Sequence, residues 1–373
     1  MSGYHNSTRL YSLIAADWEF QKRYSPTLAD LAQERPQGNQ WPDLSEASIR
    51  AFRENDRKGL AQVRQIDLRG LSDEARLDHR LFERELLARM DEWDLSAHLT
   101  SLGEFGRFGP SALNLLSTIQ SERPPSSLAE LKQRAIRLQT FPNYVVEQIS
   151  IMRQAGRLKM YPPRELVQAA VGELATELEK PPAESAFSLS SGNGGKAAQS
   201  PEEASLTRAG REALVSRVIP SLRQLHRFLA EEYLPACAVS PSLMAWPNGS
   251  RIYGLLLRRS TTTTMTAAEI HRLGLSEVAR IQAEMKSTVE KTGFRGTLDQ
   301  FFAMIRSDER FYCKSPDELL TAYRATAKRI EPAIVKLFRT FPRMPFGVEA
   351  SRAISGPAAT YSRPAIDGSR AGI

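Results

Sequence analysis

Residues 260–280 read STTTTMTAAEIHRLGLSEVAR, and this stretch decides the fold class. Thr266 followed by Glu269 is a T-x-x-E capping box, which satisfies free N–H groups of a first helical turn. Beyond it Ile270, Leu273, Gly274, Val278, Ile281, Met285 and Val289 recur at steps of three and four. That period predicts one apolar face of a helix about seven turns long. Arg272, Glu277, Arg280, Glu284 and Lys286 fall mostly on the other faces, and Gly293 supplies the stop. His271 and Glu277 could be drawn as a site. The plainer reading is a partly buried histidine and a solvated or ion-paired glutamate.

The same signals recur along the chain. Ser7 to Ala32 reads as a helix with Leu10, Leu13, Ile14, Trp18 and Tyr24 on its apolar side, and Ser45 to Ile66 as a second. Ser72 opens a third, with Leu77, Leu81, Leu86, Leu87 and Met90 spaced for a core face. His79 and Glu83 lie at i and i+4 there, a spacing that suits two metal ligands but more simply a helix-surface pair. Ser127 and Glu130 open a helix to about Arg153, which Pro142 is expected to kink or split. Pro163 to Leu178 is helical. Ser200-Pro201-Glu202-Glu203 starts a helix expected to kink at Pro220 and end at Pro235. Thr297 to Ile305 is a short helix. Ser315-Pro316-Asp317-Glu318 opens one to about Ile330, restarting at Pro332 to Phe341. Gly103 to Pro110 lacks the GK[ST] ending of a phosphate-binding loop and reads as a packed turn. The prediction is an all-α, bundle-like scaffold with a short extended C-terminal segment, in which Met344 to Glu349 could form a strand. Residues 1–180 make an N-terminal helical region. Residues 181–199, rich in Ser, Gly and Ala, read as a flexible low-complexity loop, and 200–373 as a C-terminal helical region with an extended tail.

Composition narrows the function classes. Charged residues are 25% and hydrophobic residues 41% of 373, an ordinary globular balance. No run of about eighteen apolar residues exists, so no membrane span or membrane partner is expected. Leu13–Ala16 is too short for a signal-peptide core, which sets the expected location as cytoplasmic. Cys237 and Cys313 give neither a disulfide framework nor zinc spacing. From Arg258 onward 19 Lys and Arg stand against 12 Asp and Glu, so the whole net charge of +7 sits in that part. The positives alternate with Glu and Asp along helices, without the aromatic interleaving of a nucleic-acid face. No nucleic-acid partner is expected. A solvated surface or an electropositive cleft wall fits better.

Several segments together resemble the bacterial family called domain of unknown function 885. They are Asn248-Gly249 with Tyr253 and Arg258-Arg259; Thr261-Thr262; and Thr266 through Met285 with its EIH-x-x-GL-x-EV phrase. Gly293-Phe294-x-Gly296, Tyr323-Arg324 and Asp367-Gly368-Ser369-Arg370 continue the series. The resemblance covers about the last 130 residues. It implies similarity to helical zinc peptidases of the gluzincin kind, with an HExxH helix and a further Glu ligand downstream of DGSR. In such a site two histidines bind zinc and the first glutamate serves as general base. The chain's histidines are His5, His79, His98, His226 and His271, and none is followed by Glu. No catalytic residue and no metal ligand can therefore be assigned, and zinc is implied only for a complete family member. Ala371-Gly372 follows Arg370 where the family usually has Pro, a departure at the turn.

The extended piece Tyr361 to Ile373 is the candidate substrate element. It would align a peptide by backbone pairing, with Tyr361, Asp367, Gly368, Ser369 and Arg370 as candidate substrate-binding residues. Arg370 suits bidentate carboxylate pairing; alternatively Asp367 and Arg370 merely fix a turn. The expected function is the scaffold and substrate-cleft portion of a zinc-metallopeptidase-like hydrolase, inactive alone. The alternative is a non-catalytic helical binding or scaffold protein of the same fold. A chain that stops on such an extended stretch is expected to be missing a covering helix. The apolar faces of Arg324–Phe341 and Tyr361–Ile373 should then lack partners and form an exposed patch.

Overall fold

The computed structural model describes residues 2–24, 41–100, 111–121, 125, 127–189, 200–237, 240, 242–341, 344–350, 359–362, 364 and 371–373. They are all-α, and no named strand occurs among them. Among the described residues, those up to Thr263 form one compact unit and those from Thr264 onward a second. Both flanks of the 181–199 segment therefore lie within the first unit.

In the first unit α1 spans Ser2–Tyr24, α2 Glu46–Val63 and α3 Asp73–Asp94. Ser45 and Ser72 cap α2 and α3, accepting from the N–H groups of Ser48 and Ala75. These three helices enclose a small core of Leu10, Val63, Ile66, Leu71, Ala75, Phe82 and Leu86. The buried side of α3 differs from the leucine spacing. Ala75, His79, Phe82, Leu86 and Trp93 point inward, while Leu77, Leu81 and Leu87 are exposed. The inward face carries polar residues that hydrophobic patterning passes over. His79 is buried, its Nε2 lying 2.8 Å from the Val63 carbonyl that ends α2. Glu83 accepts from Arg64 at 2.9 Å instead. The two are neither a surface pair nor co-ligands.

The main core lies around α5, Leu128–Arg157, which follows the short α4, Leu115–Ser121. Pro142 sits inside α5 without splitting it. Just before the kink-prone turn, the Arg137 carbonyl accepts the Trp41 indole N–H at 2.8 Å. The Trp41 ring stacks on Tyr144 at 4.6 Å and lies under the Arg137 guanidinium, also at 4.6 Å. Leu44 N–H donates to Glu147 at 2.8 Å. Residues 41–44 are thereby strapped across α5. Helix α6 is Arg164–Glu179. The segment after it, expected to be flexible, is anchored over its described part. Glu177 is buried and accepts from Lys180, the Ser185 hydroxyl and the Ala186 N–H. Phe187 meets Phe141 with ring centroids 5.1 Å apart, and Leu189 seats on Gly210, where any Cβ would run into it. Two apolar residues in a Ser- and Ala-rich sequence suffice for docking. Residues 190–199 lie outside the described residues, as do 101–110, where the packed turn was expected.

The chain continues as one long helical rod: α7 Pro201–Ala213, a π segment Leu214–Val218, α8 Ile219–Arg227, a second π segment Phe228–Tyr233, and α9 Leu234–Ala236. Each π segment ends two residues before a proline, Pro220 and Pro235. Proline has no N–H and its ring presses on the carbonyl four residues back, and the widened π turn accommodates both. The helical segments run on through Pro220 without a break, and Ser221 adds a hydroxyl bond to the Arg217 carbonyl at 2.8 Å. Helix α10, Gly249–Thr261, closes the unit, its Ile252 and Leu255 buried.

The second unit contains α11, Ala267–Lys291; α12, Leu298–Ser307; and α13, Pro316–Ile334. Both halves of the Thr266/Glu269 capping box form, and Thr297 with Gln300 makes another. Pro332 lies inside α13 rather than restarting it, and residues 335–341 are turn and irregular structure. Val289 is the one buried large apolar side chain among the described residues of this unit. Leu273, Val278 and Ile281 on α11 are exposed, as are Leu319, Tyr323 and Ile330 on α13 and Leu337, Phe338 and Phe341 after it, Leu337 to 77%. The helices are amphipathic as the period predicts, but in this unit little covers their apolar faces.

Candidate functional site

The proposed substrate element was the C-terminal extended piece. Asp367, Gly368, Ser369 and Arg370 lie outside the described residues. Tyr361 is described and is 65% exposed. Around it three short extended pieces meet. Gly347 N–H donates to the Gly372 carbonyl at 2.8 Å, and Gly372 N–H to the Pro345 carbonyl at 3.2 Å. On the other side Ser362 and Ile373 exchange two backbone bonds, at 2.6 and 2.8 Å. Residues 371–373 therefore lie between two extended neighbours. Phe346 bridges Gly372 in the parallel sense, which is all that remains of the expected strand at Met344–Glu349. The Tyr361 ring covers Gly372, and a Cβ there would lie 2.8 Å from its hydroxyl and 3.3 Å from the Phe346 Cβ. This small ribbon is tied to α13, where Arg324 Nε donates to the Val348 carbonyl at 3.1 Å. With both edges of residues 371–373 occupied, a peptide pairing with this ribbon would have to use the outer side of residues 361–362 or of residues 345–347.

His271 is exposed rather than partly buried. Glu277 is ion-paired: Arg280 reaches it at 2.7 Å and Glu284 at 2.7 Å, forming a ladder along α11. The zinc implied by the resemblance would need histidines one turn apart plus carboxylates. Among the described residues no group of three or more His, Cys, Asp or Glu is placed to hold a metal ion, and no histidine precedes a glutamate. The residues present do not fit that metal.

Sequence reasoning did not anticipate a buried charged network in the first unit. Arg89 reaches Asp17 at 2.9 Å, Glu85 at 3.0 Å and Asp56 at 3.4 Å. Asp56 is fully buried and also accepts the Trp93 indole N–H at 2.8 Å. Asn55 donates to Asp17 at 2.9 Å. Burial opposes the Arg89 charge, but Asp17, Asp56 and Glu85 outweigh it and hold the guanidinium firmly protonated. With its cation and carboxylates spent on one another, this cluster stabilises the packing of α1, α2 and α3 and offers no free acid or base.

The residues carrying the family phrase before α11 have structural work of the same kind. Gly249 begins α10 where a Cβ would run into the Leu243 carbonyl oxygen. Arg258 pairs with Asp91 at 3.4 Å; Arg259 pairs with the buried Glu92 and, at 3.6 Å, with Glu85. Two adjacent arginines that could read as an anion site are taken up by carboxylates of α3.

Comparison with known proteins agrees with this picture of the fold. No curated protein matches the chain. Among solved structures, one described as "The crystal structure of the putative lipoprotein from Colwellia psychrerythraea" is similar, with a TM-score of 0.81 and 16% identity over 98% of this chain. This chain spans 66% of that chain's length. A family described as "Bacterial protein of unknown function (DUF885)" matches residues 26–373, nearly the whole sequence. The chain belongs to the DUF885 family.

Proposed function

We propose that this chain is the scaffold and substrate-cleft portion of a zinc-metallopeptidase-like hydrolase and does not hydrolyse peptides by itself. The observation that carries the reading is the second unit. A unit of this size must offset roughly 1–2 kcal/mol of backbone entropy per ordered residue. One buried large apolar side chain contributes only about 1.5–3 kcal/mol. The exposed stripes of α11 and α13 therefore read as faces made for further polypeptide, the place a metal-bearing helix would occupy. The ribbon of residues 345–347, 361–362 and 371–373 fits a cleft wall, with Tyr361 and Phe346 as exposed aromatic contacts for a peptide.

The test is hydrolysis of a mixed peptide library by this chain with and without added zinc. The reading expects no cleavage in either case, together with weak retention of library peptides that Tyr361→Ala reduces. Zinc-dependent cleavage by the 373-residue chain would sink it. The second reading, a non-catalytic binding protein, is favoured by the absorbed arginines and the saturated carboxylates of the first unit. It expects the same retention from a polypeptide that carries no HExxH anywhere in its natural length.

A further inference from the structure

The chain leaves the first unit through the last turn of α10, and the backbone there is unusual. Thr262, the residue that ends the helix, has φ +57° and ψ +21°. A β-branched residue in the left-handed region is strained; glycine or asparagine is the ordinary choice at a helix end. Such strain persists where surrounding contacts over-determine the conformation. Those contacts are visible, and they come from α3. Arg84 donates to the last-turn carbonyls of Arg258 and Arg259, at 3.1 and 3.4 Å. In return Arg258 reaches Asp91, and Arg259 reaches Glu92 and Glu85. Glu92 is 4% exposed, so its charge depends on Arg259 for compensation. Locally, Thr262 N–H donates to the Arg258 carbonyl at 3.0 Å, and the Thr261 hydroxyl donates to the Leu257 carbonyl at 2.7 Å.

We infer that α3 and the arginine pair form a clamp on the end of α10, and that this clamp holds Thr262 in its left-handed conformation. Arg84, Arg258 and Arg259 are positioning residues acting through the backbone, and Glu92 is the buried anchor. The clamp fixes the backbone turn that ends α10. A threonine there makes that turn conditional: the left-handed state exists only while the carboxylates of α3 grip the arginines. A glycine would adopt it unaided.

The test is amide hydrogen exchange of the full chain, resolved at residue 262, in the parent and in Glu92→Gln, Arg259→Lys and Arg259→Ala. The amides of α5 serve as the control for intact folding. The clamp predicts that Glu92→Gln and Arg259→Ala each lower protection at residue 262 by about tenfold or more while α5 is unchanged, an opening confined to one segment. Arg259→Lys should lower it less. Adding Thr262→Gly to Glu92→Gln should restore protection, a rescue that a merely structural ion pair would not produce. Unchanged protection at residue 262 in Glu92→Gln, or failure of Thr262→Gly to restore it with α5 still protected, would overturn the inference. Should Arg259→Ala not fold, Glu92→Gln and Arg259→Lys decide the matter alone.

Discussion

Replacing Arg89 with methionine should unfold the first unit at markedly lower temperature. The substitution keeps much of the aliphatic stem and removes the one cation between Asp17 and Asp56. Asp56 is fully buried and the Asp17 side chain is only 11% exposed, so neither charge can recover its hydration in place. Breaking a buried ion pair by deleting one partner costs about 3–5 kcal/mol. The first unit exceeds 200 residues, for which each kcal/mol moves the melting temperature by about 2–4 °C. The expected fall is on the order of 10–15 °C, read by differential scanning calorimetry on the full chain. The companion Arg89→Met/Asp17→Asn/Asp56→Asn should recover at least half of it, because the uncompensated charges are then gone. A fall of less than about 3 °C for Arg89→Met would mean that the carboxylates are hydrated or otherwise neutralised, and the account of this network would be wrong.

Three other outcomes follow from the same structure. Gly249→Ala should cost on the order of 1–3 kcal/mol by chemical denaturation, because its methyl group would run into the backbone of Leu243 and Met244; Gly274→Ala, with open space around it, should be neutral or stabilising. Alkylation followed by mass should show one fast thiol, the exposed Cys313. Cys237, its pKa pushed up by burial to about 11, should react only on unfolding. Burial raises the Glu147 carboxyl above its ordinary value. A raised acid stabilises the fold when protonated, and that contribution is lost as pH rises through its folded value. Glu147→Gln, which keeps an acceptor for Leu44 N–H, should therefore match or exceed the parent near neutral pH. Its advantage should shrink as the pH falls into the carboxylate range, as followed by urea denaturation at several pH values.

Helix starts were the most legible feature of the chain. Ser45, Ser72, Ser127, Ser200, Thr266 and Ser315 all cap as their local sequence indicates, because a cap depends on three or four consecutive residues. What prolines do inside helices was less legible. Pro142, Pro220 and Pro332 each lie within continuous helical segments, at Pro220 with a π turn just before the ring. The burial of α3 was misread for a different reason. Its inward face carries His79 and Arg89, which bury only because Val63, Asp17 and Asp56 wait for them from other helices. Such pairings join residues 16 to 72 positions apart and leave no periodic trace. Helix α10 was hidden too: its Arg258 and Arg259 pair with Asp91, Glu85 and Glu92, far upstream. Of the candidate substrate residues, Tyr361 alone falls among the described ones. The pairing of Ser362 with Ile373 is a long-range contact that composition could not foretell.

The central claim is that the exposed faces of α11 and α13 belong to a larger hydrolase. The intact mass of the protein purified from its native source tests that most directly. The account predicts a mass well above 41.7 kDa, with zinc bound in proportion to the protein. A native mass of 41.7 kDa would contradict it and leave the non-catalytic binding protein as the reading of this fold.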